Sequence, residues 1–450
     1  MRLALGAGLA VAAAFACQPA APSGLTLLFL NRSPAASEGG RSWAPDPDRG
    51  RLIAFDGRLR PVRTLTGPAL AQPMTVGVFG AHLLVSEQTG EGVLLDTTGA
   101  LVAEWDSPFP VSVYAAAGSR IVAARSPYRV PLLLPDAADA PLLVVLDSVG
   151  RSLEGLGAIH QPATPFLAQI TNAGAIAADQ NGVVYYGPVA RDEIVKIDAS
   201  GTPRWRTTRG VYPHETDPVY LPVDHGAPRV AQAIANIALV LGPDGRLYVL
   251  GADDSAATRL RVDVLDTATG AILATRRLDS TETAVALDGR GALVTRNAAS
   301  LLAAARPPTR EPFAPTFALP DTAGDTVALA QLTGKVTLID FWASWCDPCR
   351  EEFPHMIALY NDLPRQDFDI VAISDDVDRG KMLAFIREYR PPFPVLVGAG
   401  RMKARYHYRG LPYSVLLDRR GRVIERYFGF GGAAEFRRLR TAIAEEIRAP

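Results

Sequence analysis

From Arg51 to about Arg306 the chain is a succession of short apolar runs of strand length, each cut by polar turn residues. One pattern recurs: an apolar run, an Asp, a Gly within four residues, and a second run. It stands at Asp56-Gly57, Asp96 to Gly99, Asp147 to Gly150, Asp198 to Gly201 and Asp266 to Gly270. Asp tolerates turn geometry and Gly supplies positive φ, so each of these predicts a β-hairpin. Second hairpins are predicted between them, over residues 75–87, 113–124, 176–186, 239–250 and 284–295.

Two hairpins per unit, at periods of about 40 to 70 residues, point to a β-propeller with inserted loops. The texture resembles six-bladed NHL-type propellers. Five blades are the alternative, since a sixth must come from degenerate sequence such as Leu25 to Leu30 or Pro131 to Leu134. A β-sandwich or a pair of small barrels would give a similar pattern. The hairpin at 284–295 lacks a downstream partner and that at 52–65 an upstream one, so these two are expected to pair and close the ring.

Arg306-Pro-Pro-Thr-Arg-Glu-Pro312 is too proline-dense to continue a sheet. Beyond it strands alternate with amphipathic helices. Strands are predicted over 336–342, 370–374, 394–397, 414–418 and 423–428, and helices over 348–359, 379–389 and 433–447. That alternation is an α/β domain. The expected fold class is therefore two-domain, an all-β propeller followed by an α/β unit. The boundaries are 1–16 (signal peptide), 17–48 (flexible tether), 49–305 (propeller), 306–313 (linker) and 314–450 (α/β domain).

The N-terminus adds a destination. Met1-Arg2 precedes an Ala-rich apolar run to Phe15, ending in Ala14-Phe15-Ala16-Cys17. An early positive charge, a run too short to span a bilayer and a small-x-small site predict a secretory signal. The segment also resembles a bacterial lipoprotein signal, which implies lipidation of Cys17 and a membrane anchor; Ala14 departs from the Leu usual in such signals. Pro/Ala/Ser/Gly-rich sequence from Gln18 to about Asp48 predicts a tether. With 46 Lys+Arg against 47 Asp+Glu, the chain lacks the basic excess that nucleic acid demands.

Three cysteines, Cys17, Cys346 and Cys349, exclude a disulfide-stapled scaffold. The last two lie in Phe341-Trp-Ala-Ser-Trp-Cys346-Asp-Pro-Cys349-Arg350, where a strand ends and a helix begins. Cysteines three apart in a first helical turn share a face and can be joined. Unsatisfied N–H groups and the helix dipole favour a thiolate on Cys346. Lowering a thiol pKa from about 8.5 to about 7 raises the thiolate fraction at neutral pH roughly sixteenfold. Intrinsic nucleophilicity falls perhaps fivefold over that shift, so attack gains only about threefold. The larger effect is on leaving ability and on the reduction potential.

Here the sequence resembles the thioredoxin superfamily, in its exported TlpA-like/ResA-like branch, over about Ala314 to Ile447. The resemblance is carried by Pro315-Thr-Phe-Ala-Leu-Pro320, the Trp-Cys-x-Pro-Cys centre, a helix–strand insertion between Gly380 and Val397, and Gly410-Leu411-Pro412. It implies a cis peptide before Pro412, with Leu411 as the backbone contact for substrate. It also implies that Asp340 assists deprotonation of Cys349, and that Pro354 kinks the active-site helix. Trp345 and Pro348 would lie on the substrate surface, while Trp342 and Trp345 each also fit core packing.

The function expected is an exported thiol–disulfide oxidoreductase of the periplasm or cell envelope, with the propeller as partner-binding platform. Its redox group is the Cys346-Cys349 disulfide, with no cofactor or metal. Its partners are a substrate protein bearing a cystine or dithiol, an upstream thiol protein that gives or takes electrons, and a membrane through Cys17. Two alternatives remain: a propeller-based binding or sensor protein with a redox-responsive module, and a peroxiredoxin-like peroxidase. Against the peroxidase, Ala343 stands where a threonine would be needed. Zinc on the dithiol lacks a second ligand pair. His214, Glu215, Asp217, Asp224 and His225 share a loop without ligand spacing. Asp253-Asp254 is expected as a turn, and Arg401, Lys403, Arg405 and Arg409 as a solvated face.

Overall fold

A computed structural model describes residues 24–448 apart from 68, 129–135, 138, 212–216, 222–228, 232–233, 255–257, 306–312, 407 and 409. The signal segment, Cys17, Pro131 to Leu134, most of the linker, and His214, Glu215, Asp224, His225 and Arg409 lie outside the described residues. Among the described residues no helix is long and apolar enough to cross a membrane.

The N-terminal unit contains six four-stranded antiparallel sheets. Five are continuous in sequence, over 36–66, 73–105, 112–158, 174–207 and 236–277. The sixth joins the chain's two ends of this unit: Thr26–Leu30 pairs with Ser33–Pro34 on one side and with Ala284–Leu287 on the other. Leu293–Arg296 completes that blade. Two expectations are corrected. The segment expected as tether is strand from Thr26 onward and supplies the inner hairpins of two blades. Closure does not pair 284–295 with 52–65, because each of those outer hairpins already has its own N-terminal inner hairpin.

The repeated Asp turns act through one hydrogen-bond pattern. The Asp96 Oδ1 accepts the Thr98 and Ala100 amides, and the Asp147 Oδ1 those of Val149 and Arg151. Asp198 repeats it. Gly150 takes φ 81°, and a Cβ there would stand 2.1 Å from the Trp105 ring, so both backbone and space require glycine. The Asp56 turn departs from expectation: the positive φ falls on Leu59 at 57°, not on Gly57. Blades are also tied by a buried ion pair. Arg209 Nε donates to Asp263 Oδ2 at 2.6 Å with both side chains wholly buried, and Arg209 Nη1 reaches the Ala235 carbonyl at 2.8 Å.

The C-terminal sheet has five strands in the order Val395–Val397, Phe368–Ser374, Val336–Trp342, Tyr413–Leu417, Val423–Phe428. Every position of the central strand is buried, as a strand covered on both faces requires. The first three strands run parallel; Tyr413–Leu417 is antiparallel to the central strand, and Val423–Phe428 is antiparallel to Tyr413–Leu417 in turn. One face packs under helices Asp347–Asp362, Arg379–Tyr389 and Gly432–Arg448. The edge strand Val423–Phe428 lies against the propeller's short turn Pro47–Arg49, where Arg49 Nε is 3.9 Å from Glu425 Oε1. A second bridge joins Arg438 to Asp48 at 2.8 Å.

Candidate functional site

The helix Asp347–Asp362 begins where the buried central strand runs out into a short loop, so its first turn stands at the carboxyl end of the sheet. Cys346 caps that helix, its Sγ accepting the Cys349 amide at 3.2 Å. Its sulfur is bonded to that of Cys349. Cys346 is 4% exposed and Cys349 fully buried, so the first sulfur is the one nearer solvent.

Asp340 sits on the central strand and is wholly buried. The register sets it directly across from Ser414, whose hydroxyl donates to Asp340 Oδ1 at 2.9 Å. Oδ2 has no partner among the described residues. Burial pushes this carboxyl up to about 7, against the smaller opposing effect of the Ser414 bond. The acid therefore changes charge near neutral pH.

The peptide Leu411-Pro412 is cis. The Gly429 amide, one residue past the strand Val423–Phe428, donates to the Pro412 carbonyl at 2.8 Å. The two tryptophans separate. Trp342 is wholly buried, with ring centroids 4.8 Å from Phe353 and 4.4 Å from Phe385, and is core. Trp345 is 67% exposed beside Cys346. Ala343 is buried in the same core as the dithiol.

Two residues that hold the site were not found from the sequence. Asp376 accepts the Ser344 amide at 2.9 Å and the Ser344 hydroxyl at 2.6 Å, fixing the loop that carries Cys346. Ser414 is the other. Its pairing with Asp340 depends on the antiparallel register of two strands 74 residues apart, which no local pattern reveals. Arg350, one residue past the dithiol, bonds the Ser344 carbonyl at 3.2 Å and Glu388 at 2.8 Å, tying the active-site helix to its neighbour.

Of the other candidates, Asp217 meets His160 Nε2 at 3.0 Å. Among the described residues no group of three or more His, Cys, Asp or Glu could hold a metal ion. Asp253 is paired with Arg277 at 2.8 Å and Asp254 with Arg259 at 3.2 Å. Arg401 and Arg405 bond main-chain carbonyls of Val397 and Thr316.

The AhpC/TSA family model matches residues 312–442. The chain is 33% identical over 117 residues to thiol-disulfide oxidoreductase ResA of Bacillus anthracis, a match that covers 26% of this chain and 68% of that protein. The chain belongs to the ResA family of thiol–disulfide oxidoreductases. The ResA protein of Bacillus subtilis (strain 168) is 34% identical over 113 residues, 25% of this chain and 63% of the relative. A solved thiol:disulfide interchange protein of the thioredoxin family from Chlorobium tepidum TLS is 23% identical. It covers 31% of this chain and 99% of its own, with a TM-score of 0.29. Membership thus rests on the C-terminal unit, which has the thioredoxin-like fold expected; the N-terminal unit is the six-bladed propeller. The chain is an enzyme of the thiol–disulfide oxidoreductase class, acting on protein thiols.

Proposed function

We propose that Cys346 and Cys349 are the reacting pair of an exported oxidoreductase that exchanges disulfides with other proteins. In the reducing direction the Cys346 thiolate attacks one sulfur of a substrate cystine, forming a mixed disulfide and releasing the other substrate sulfur as a thiolate. Cys349 then loses its proton to Asp340 and attacks the Cys346 sulfur. The substrate leaves with both sulfurs reduced, and the enzyme keeps the Cys346–Cys349 bond. Two electrons pass to substrate, and an upstream thiol protein must return them. Run backwards, the same steps oxidise a dithiol.

The observation that carries this reading is the joining of two sulfurs at a helix start, next in sequence to a buried strand whose Asp340 carboxyl is raised to about 7 by burial. Cys346, nearer solvent, suits attack; Cys349, buried, suits resolution. Leu411 and Pro412 with exposed Trp345 and Pro348 would receive the substrate chain. The propeller would bind or position the partner, and Cys17 would carry the lipid that keeps the enzyme at the membrane. Several acyl chains, at about 0.8 kcal/mol per buried CH₂, would make that anchoring firm.

The test is reduction of insulin by the full chain with dithiothreitol as donor. Turnover is expected in the native chain, none with Cys346→Ser, and an accumulating mixed disulfide with Cys349→Ser. Turnover that survives Cys346→Ser would overturn the scheme. An intact Cys346–Cys349 disulfide that dithiothreitol reduces, with no turnover of insulin, would favour a sensor.

A further inference from the structure

Between the propeller and the cis-proline loop lies a cavity of about 590 Å³. Gln72, Gln88 and Glu91 of the second blade form one wall; Pro348, Leu411 and Phe430 form the other. The first wall comes from the ring and the second from the redox unit, so neither half alone makes the site. Its volume falls within the range of roughly 300 to 1,000 Å³ usual for binding pockets.

The propeller wall is rigid. The Gln72 amide donates to the buried Glu87 Oε2 at 2.6 Å, and the Gln88 amide to the Gln72 carbonyl at 2.9 Å. The Glu87 amide meets the Glu91 carbonyl at 3.0 Å. Within this ordered frame Gln72 Oε1 is buried and without a donor among the described residues. A buried acceptor left without a donor calls for a partner. Gln72 and Gln88 also line the adjoining cavity of about 750 Å³ at one mouth of the propeller's central channel. The two cavities share that wall, and the smaller one reaches Pro348, one of the two residues between the cysteines.

We propose that this cleft seats the extended polypeptide segment flanking the substrate's reacting cysteine, with the Gln72 side chain turning on its fixed backbone to bring the unpaired Oε1 from beneath the surface to a main-chain N–H, and Gln88 completing the wall. The propeller is then the specificity half of the redox site. An extended segment fits because its amides are unpaired along its length, unlike those of a helix. The cleft is polar on one side and apolar at Leu411 and Phe430 on the other, as alternating side chains require. The inference rests on Cys346 being the attacking sulfur.

The test uses the full chain carrying Cys17→Ser and Cys349→Ser. It is reacted with an octapeptide bearing one central cysteine activated by 5-thio-2-nitrobenzoate, and separately with free cysteine activated likewise. Each forms a disulfide to Cys346 and releases thionitrobenzoate. The peptide is expected to react faster, and amide exchange at 72 and 88–91 to slow in the peptide adduct but not in the cysteine adduct. Adding Gln72→Ala and Gln88→Ala should cut the peptide's rate advantage about tenfold, leaving the cysteine rate unchanged. Protection confined to residues 410–412, or a peptide advantage untouched by the two substitutions, would overturn the proposal. Failure of both probes to modify Cys346 would instead overturn the reading beneath it.

Discussion

Replacing Asp340 by Asn tests the buried acid through both stability and rate. The carboxyl is raised from 3.8 to about 7, chiefly by burial. Protons are therefore held more tightly in the folded chain than in the unfolded one. The stability that protonation provides is present in full below about pH 4 and is lost as pH rises through about 7. Roughly three units at about 1.4 kcal/mol each give a loss of about 4 kcal/mol across that window. Asn is neutral throughout and keeps an oxygen to accept the Ser414 hydroxyl, so Asp340→Asn removes the pH dependence without opening a cavity. The substituted chain should match the native one near pH 4 and exceed it by up to about 4 kcal/mol near pH 8. The readout is amide exchange of the central strand, corrected for intrinsic rate at each pH, in the oxidised protein. Resolution of the mixed disulfide at neutral pH should slow on the order of 10²-fold, the low end of what a positioned acid–base group supplies. Equal stability differences at both pH values, or an unchanged resolution rate, would refute the reasoning.

Three further outcomes follow from the fold. Gly150→Ala should destabilise the third blade by about 2 to 4 kcal/mol, because it combines a strained φ with a clash against Trp105, and urea denaturation measures the loss. Arg209→Met should cost about 1 to 3 kcal/mol in urea denaturation, because Asp263 loses one of two buried guanidinium partners and keeps Arg261 Nε at 3.0 Å, and removing Arg261 as well should cost more than the two single losses added. A chain lacking residues 24–34 should lose the strands that close the ring, and limited proteolysis should then cut within 284–296 well before the redox unit.

The features legible in the sequence are local ones. The helix expected over 379–389 is found as Arg379–Tyr389, and Asp378 caps it, accepting the Gly380 and Lys381 amides. The Asp-turn hairpins were legible for the same reason, since each turn's hydrogen bonds close within four residues. Leu25 to Leu30, offered for a sixth blade, does supply a strand of it, whereas the strands from Ser33 to Asp46 fall in sequence expected as tether. They include inner strands near the channel, where small side chains such as Ala36 and Ser37 fit, and that composition imitates a linker. Ring closure was misassigned because Thr26–Leu30 pairs with residues over 250 positions away, beyond any periodic signal. In the site, the cysteines stand out by type and spacing, while Pro412 and the role of Asp340 come from the resemblance to the thioredoxin superfamily. Ser414 and Asp376 do not stand out, since their roles arise from cross-strand register and a loop returning to Ser344. The propeller wall beside the dithiol had no sequence signature at all.

Thiol trapping of the full chain, equilibrated across a graded glutathione and dithiothreitol series and read by mass spectrometry, tests the central claim most directly. A single two-electron transition of the Cys346–Cys349 pair is predicted, with a midpoint between about −120 and −270 mV, the span of exchanging dithiols. A pair that stays bonded below about −300 mV, as structural disulfides do, would contradict the account.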